Sequence, residues 1–347
     1  MSDSSPKPPI VTEVVIIGAG PCGLFQVFEL GLLGMSCHVI DSLASPGGQC
    51  TELYPDKPIY DIPALPVCGA QELVDRLLQQ IAPFNAPLHL GQEVVKVHKR
   101  EDGRFDVETV LGTRFDAGAL VIAGGVGSFQ PRRLGVPESE AFEGRHIHYR
   151  VRDAASYHGK KLAIFGGGDS ALDWVIDFAG KAAITHIHRR AEFKAAPASV
   201  AKMRALAAAG QVRYIEGLAD SLRVSDGTLR GINVKGTDGT MHAVDADHVF
   251  AFFGLHPKLG PIAEWGMELE KKALKVDTEK FQTSIPGIFA VGDINTYPGK
   301  KKLILSGFHE AALAAFAIQH YLYPAKKQFL QYTTTSPVMQ KRLGVPH

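Results

Sequence analysis

Val14–Gly23 reads VVIIGAGPCG, and its reading decides the fold. Four apolar, β-branched residues, Val14 to Ile17, predict a short buried strand. Glycines follow at Gly18, Gly20 and Gly23, and an apolar helical pattern begins with them. Strand, tight turn and helix in that order form the dinucleotide-binding fingerprint. Gly18 allows the sharp turn, Gly20 lets the backbone approach a pyrophosphate, and Gly23 lets the helix pack against the strand. The helix N-terminus then offers free N–H groups and a positive dipole end to the anion. A glycine turn alone is a common feature of αβ connections. Here the flanking strand and helix supply the context that gives it meaning.

Working outward, the helix is expected over Cys22–Leu33, ended by Gly34, and a second strand over Cys37–Ile40. That strand runs into Asp41, 18 residues past Gly23, where a carboxylate can accept both ribose hydroxyls of an adenosine. The pattern then recurs. Lys161–Phe165 predicts a strand, Gly166 and Gly168 a second turn, and Asp169–Phe178 a helix that begins Asp169-Ser170 and carries Ala171 at the third small position. The two units are offset by 148 residues and imply two dinucleotide sites. They differ where the ribose is read. At the offset of Asp41 the second unit has Arg189, within His188-Arg189-Arg190, followed by Lys194. Guanidinium groups clamp a 2′-phosphate that an acid would repel, so the second site reads as NADPH-selective.

Length and composition fit this organisation. The 347 residues suggest two domains, and 45% hydrophobic with 21% charged residues describes an ordinary globular chain. The net charge of +1 gives no global attraction to nucleic acid or membrane. No apolar run reaches the length of a transmembrane helix, and the polar, Pro-rich start MSDSSPKPPI reads as a frayed arm without a signal peptide. Cys22, Cys37, Cys50 and Cys68 match no zinc pattern and no CxxC motif, and a reduced cytoplasmic location is expected. Between the units, residues 42–70 read as a long functional loop containing PGGQC, and Gln71–Ile81 as a helix. Leu88–His98, Phe105–Val110 and Ala119–Ala123 read as strands. In the second half strands are expected at Ala183–Ile187, Val212–Ile215, Leu222–Val224, Gly231–Val234, Ala246–Phe252, Ala273–Val276 and Ile288–Val291, and helices at Ala198–Ala209 and Leu303–Tyr321. The tail 328–347 reads as largely non-helical. The predicted fold class is α/β, with two Rossmann-like domains, the first discontinuous in sequence: 1–128, a second domain over 129–285, and a return over 286–347.

GAGPCG at 18–23, PGGQ at 46–49, GGGDSALDW at 166–174, HRR at 188–190 and FAVGDI at 289–294 together resemble the two-dinucleotide flavoproteins of the thioredoxin-reductase-like group. The second domain contains no cysteine, so the redox CxxC of the thioredoxin reductases is missing. With YPGK at 297–300 and a tail carrying Tyr332 and Thr333–Thr335, the chain resembles the thioredoxin-reductase-like ferredoxin–NADP reductases. That resemblance covers about residues 11–335. It implies a homodimeric FAD enzyme that passes electrons between NADPH and ferredoxin or flavodoxin. It also implies that Asp41 holds the FAD ribose, that Gln49 and Tyr54 lie on the flavin, and that Val94 contacts the adenine through its backbone. Phe129 would lie near the flavin at the domain crossover, and Asp293 would bind the ribityl chain. Tyr332, with Thr333 or Thr334, would cover the second flavin face, so that Tyr54 and Tyr332 bracket the reacting ring. Lys194 stands where the resemblance implies an arginine.

The implied chemistry is hydride transfer from NADPH to flavin N5, followed by one-electron steps to the protein acceptor. It needs no general acid, and no Asp/His dyad stands out. The helix near Leu303 is expected to point its positive end at the flavin. Lys300, Lys301, Lys302, Arg132 and Arg133 form the candidate dock for an acidic ferredoxin. Two other readings stay open at this point: a single-thiol peroxide or disulfide reductase using Cys50, and a non-catalytic FAD/NADPH-gated binding protein.

Overall fold

The computed structural model describes residues 8–55, 57–127, 130–151, 153–256, 259–326 and 331–345. The chain divides into two compact units, one made of residues 1–128 and 257–347 and the other of residues 129–256.

In the first unit, β1 (Ile10–Ile17) leads through the glycine turn into α1 (Pro21–Leu33) and β2 (Cys37–Ile40). Gly34 caps α1 in the left-handed region, φ 78°, and its N–H bonds back to the Gly31 carbonyl. Next come α2 (Gln49–Leu53), α3 (Ala70–Ile81), β3 (Leu88–His89), β4 (Val94–Lys99), β5 (Phe105–Thr109) and β6 (Arg114–Ile122). The strand order is β3-β2-β1-β6-β5-β4. β1 pairs parallel with both β2 and β6, whereas β4, β5 and β6 pair antiparallel. Val14, Val15 and Ile16 are fully buried, as expected of a central parallel strand covered on both faces.

The second unit holds β7 (Ile147–His148), β8 (Lys161–Phe165), α4 (Asp169–Phe178), β9 (Ala183–His188), α5 (Pro197–Ala208), β10 (Val212–Ser225), β11 (Thr228–Gly236), β12 (Met241–Asp245) and β13 (His248–Ala251). Its strand order is β7-β13-β8-β9-β10-β11-β12, parallel as far as β10 and antiparallel beyond. The chain then returns to the first unit with β14 (Ile288–Ala290), which pairs parallel with β6, α6 (Ile304–Leu322) and α7 (Pro337–Arg342).

Several elements depart from the sequence expectation. The 42–70 loop contains α2 and a two-residue ladder, Pro58–Ile59 against Cys68–Gly69. The strand expected over Leu88–His98 is broken around Gly91, whose φ is 68°. Val212–Ile215 and Leu222–Val224 are one strand, which pairs parallel with β9 as far as Glu216 and antiparallel with β11 from Gly217 on, with an irregularity at Ala219/Ser221. The strand expected over Ala246–Phe252 is β13, shortened to His248–Ala251, and β12 before it was not expected. The tail is helical over α7, N-capped by the Ser336 hydroxyl, which accepts from Met339 N, with Pro337 at the first helical position. The return to the first unit falls at residue 257 and not at 286. Its cause is packing: Ile262, Met267, Leu274, Val276 and Phe281 belong to the first unit's core.

Candidate functional site

The first glycine turn is built from backbone geometry. Gly18 has φ +115°, and a Cβ there would stand 2.4 Å from the Ala123 carbonyl oxygen. A Cβ on Gly23 would fall 1.9 Å from the Gly18 carbonyl oxygen. A Cβ on Gly20, by contrast, meets nothing within 4 Å. The middle glycine therefore faces open space that a methyl group would fill, which fits a pyrophosphate cradle. Gly47 N donates to the Ala19 carbonyl at 2.8 Å, and Gly48 lies against the Gly20 Cα, so the PGGQ loop folds onto the turn.

Asp41 ends β2 with its carboxylate already engaged. One oxygen accepts from Ala19 N at 2.6 Å and the other from Leu43 N at 2.8 Å. Burial pushes the carboxyl pKa up, and the two backbone donors pull it partly back. The Asp41 carbonyl also accepts from Gln92 N, which ties the end of β2 to the segment leading into β4, where Val94 is buried. Gln49 Nε2 donates to Asp293 Oδ2 at 3.4 Å, so two residues far apart in sequence meet.

Two helix N-termini converge on the Gly292-Asp293 turn. Neither α1 nor α6 has a side-chain cap, so both leave backbone N–H groups free. Cys22 fills the space between them: a Cβ on Gly307 would lie 2.2 Å from its sulfur, and one on Gly292 3.0 Å. Two uncapped, positively polarised helix ends beside an open glycine backbone fit an anionic dinucleotide such as FAD.

Tyr54 is half-buried, with the Cys50 thiol 3.9 Å from its hydroxyl, and burial raises its phenol pKa. Tyr332 is 63% exposed and makes no ring contact with Tyr54 among the described residues. The carbonyls of Thr333 and Thr334 accept from Gln340 Nε2, tying them to α7. Arg342 in turn bonds α7 to the Leu32 carbonyl, at the end of α1 away from the glycine turn, ~20 Å along the helix axis. Phe129 lies outside the described residues.

The second turn repeats the logic of the first. Gly166 has φ +143°, and a Cβ there would stand 2.6 Å from the Phe252 carbonyl oxygen, whereas Gly168 faces open space. A Cβ on Gly167 would overlap the His188 ring at 2.2 Å. Asp169 Oδ1 accepts from Ala196 N at 2.8 Å, and Lys194 N donates to the Gly167 carbonyl at 2.7 Å, folding the 191–196 loop back over the turn. Ser170 is exposed in the first turn of α4, and Arg189 is exposed immediately after β9. Arg190 Nε is buried and has no hydrogen-bond partner among the described residues. An orphaned guanidinium N–H beside an uncapped glycine turn fits the phosphate of an NADPH ribose.

Two expectations are corrected. Lys300 is not a docking cation: its side chain is 6% exposed and its ammonium is ion-paired with Glu310. Cys50 is not placed as a nucleophile. It is 1% exposed, and burial raises its thiol pKa, whereas a reactive thiol needs an exposed site that lowers it. All four cysteines are free, and Cys22 and Cys37 are pushed up to about 12 by burial. The residues missed are Gly47 and Gly48 as the turn's second wall, and Glu310. A lone acid in the apolar run of α6 was the signal for the latter.

Two glycine-turn dinucleotide folds on one chain, the first with a buried acid after its second strand and the second with arginines at the matching place, define a two-nucleotide α/β oxidoreductase. The profile of the pyridine nucleotide-disulphide oxidoreductase family matches residues 12–318. A curated relative named ferredoxin–NADP reductase, from Methylibium petroleiphilum, is 61% identical over 97% of this chain and 93% of its own length. One of the same name from Albidiferax ferrireducens is 62% identical over 97% of each. The solved thioredoxin reductase of Lactococcus lactis has the same fold, with a TM-score of 0.74 at 22% identity over 90% of this chain and 99% of its own. The chain belongs to the pyridine nucleotide-disulphide oxidoreductase family and, within it, to the ferredoxin–NADP reductases.

Proposed function

We propose that this protein moves electrons between NADPH and ferredoxin, or a flavodoxin in its place, through FAD. The observation that carries this reading is the pair of glycine turns with opposite ribose readers, Asp41 in one and Arg189-Arg190 in the other. When bound, FAD accepts a hydride from NADPH and releases the electrons one at a time.

The protein's own part is binding and electrostatics. Gly18, Gly20 and Gly23 let the α1 N-terminus reach the pyrophosphate, and Asp41 takes the ribose hydroxyls. Gln49 and Asp293 line the ribityl side, Val94 meets the adenine, and the free N–H groups of α6 favour negative charge on the reduced ring. Tyr54 stacks on one ring face; Tyr332, Thr333 and Thr334, tied in their own chain to the far end of α1, cover the other face from the second copy of the expected homodimer. Gly166, Gly168, Asp169, Ser170, His188, Arg189 and Arg190 hold NADPH.

The test is NADPH-dependent cytochrome c reduction with and without added ferredoxin. Several-fold stimulation by ferredoxin is expected. NADPH bleaching of the flavin with no ferredoxin-dependent flux would sink the proposal and favour a nucleotide-gated binding protein. The expected assembly is a homodimer in the cytoplasm with no nucleic-acid partner, and light scattering near twice the 37.4 kDa chain mass checks the dimer. Among the described residues, no helix is long and apolar enough to cross a membrane.

A further inference from the structure

Behind the Gly292-Asp293 turn lies a polar cluster with no part in the chemistry described above. Glu310, 0% exposed, sits two turns into α6 and its carboxylate is fully engaged. Oε2 accepts from Gly292 N at 2.7 Å and from Asn295 Nδ2 at 2.8 Å. Oε1 accepts from the Tyr297 hydroxyl at 2.9 Å and from Lys300 Nζ. Lys300 Nζ reaches past the carboxylate to donate to the Gly292 carbonyl at 2.8 Å. One buried ion pair therefore holds both the N–H and the C=O of the residue before Asp293. Gly292 has φ +80°, so this turn is in the left-handed region and depends on outside contacts to stay in one conformation.

A buried ion pair is a weak device for stability, because desolvating two charges offsets their attraction. Four hydrogen bonds to one carboxylate do, however, fix a single geometry. Burial and the adjacent carboxylate push the Tyr297 phenol up to about 12, so it remains a donor at neutral pH. On this ground, and resting on the reading of Asp293 as a flavin contact, we infer that Glu310 and Lys300 are positioning residues. Together they hold the Gly292-Asp293 turn, and with it the α6 N-terminus, in the conformation that grips the flavin side of FAD.

The test compares Glu310→Gln, Lys300→Gln and Tyr297→Phe with the wild-type chain and with Asp293→Ala. The readouts are the FAD dissociation constant of the apoprotein, the flavin midpoint potential of reconstituted protein, and the melting temperature of the apoprotein. Glu310→Gln and Lys300→Gln each change little volume and remove one charge. Each is expected to weaken FAD at least tenfold and to shift the potential. Tyr297→Phe keeps both charges and is expected to change FAD affinity less than threefold. FAD affinity and potential equal to wild type in whichever charge variants fold, with only the melting temperature lowered, would show a merely structural pair and overturn the inference. A loss in Tyr297→Phe as large as in the charge variants would overturn it too. If Asp293→Ala itself leaves FAD affinity unchanged, the reading of the site has failed; if Asp293→Ala weakens FAD but the charge variants do not, only the present inference has.

Discussion

Gly20 and Gly23 stand three residues apart and respond in opposite ways to an added methyl group. At Gly23 a Cβ would lie 1.9 Å from a backbone oxygen that cannot move without breaking the β1–α1 turn. At Gly20 the backbone is extended, with φ −72°, and a Cβ enters open space. Gly20→Ala is therefore expected to leave the apoprotein melting temperature within about 2 °C of wild type, a stability change under ~0.5 kcal/mol. It is nevertheless expected to weaken FAD binding tenfold or more, because the methyl group occupies the pyrophosphate's approach. Gly23→Ala is expected to cost several kcal/mol, of the order seen for overpacking, whether or not FAD is present. Fluorescence titration of FAD alongside thermal melts separates the two. A Gly20→Ala protein that bound FAD normally would remove the pyrophosphate from this turn.

At the scale of elements, the second turn carries a pH dependence through a buried histidine. His186 in β9 is fully buried, and its Nε2 meets the Gly166 carbonyl at 2.8 Å. A carbonyl only accepts, so Nε2 carries the proton, and Nδ1 is left buried without a partner among the described residues. Burial, the larger effect, lowers the imidazole pKa to about 4. This folded value lies below the unfolded one of ~6.5. The contribution to stability is thus fully present above pH 6.5 and is lost as pH falls toward 4, amounting to about 3 kcal/mol across the window. His186→Gln keeps a donor for Gly166 and cannot titrate. It is expected to show a smaller drop in urea midpoint between pH 7 and 4.5, followed by fluorescence of Trp174 in α4. Equal drops in the two proteins would locate the acid sensitivity elsewhere. The same scale shows what the sequence could reveal. Strands β1, β2, β8 and β9 with their glycine turns were legible because the signal is local: apolar runs, glycine spacing and the residue at the strand end. The junction at 257 was not, because segment 259–285 has few regular elements and declares its unit only by packing its apolar residues into a distant core. Helix α7 was missed although Ser336-Pro337 is a recognisable start signal. The ion pair of Lys300 was hidden for a third reason: a lysine beside two others reads as surface until its partner on α6 is placed.

For the whole molecule, the net charge of +1 means that long-range attraction to an acidic partner cannot come from the chain's total charge. It has to come from a local patch. With Lys300 withdrawn into its ion pair, and Arg133 engaged by Glu140, the exposed cations beside the flavin turn are Lys301 and Lys302. Leu303 and Leu305 follow them, each 45% exposed, so the start of α6 offers charge next to apolar surface. That combination suits a transient electron-transfer contact, in which charge sets the encounter rate and a small apolar centre completes the contact. Lys301→Glu/Lys302→Glu is expected to lower kcat/KM for ferredoxin at least fivefold at low ionic strength. The difference from wild type should shrink as salt rises past 0.2 M, where the Debye length falls below about 7 Å. NADPH-dependent reduction of ferricyanide, which needs no protein dock, should stay within twofold of wild type. Ferredoxin turnover unaffected by the double reversal at low salt would move the dock to another face, with exposed Arg132 the next residue to reverse.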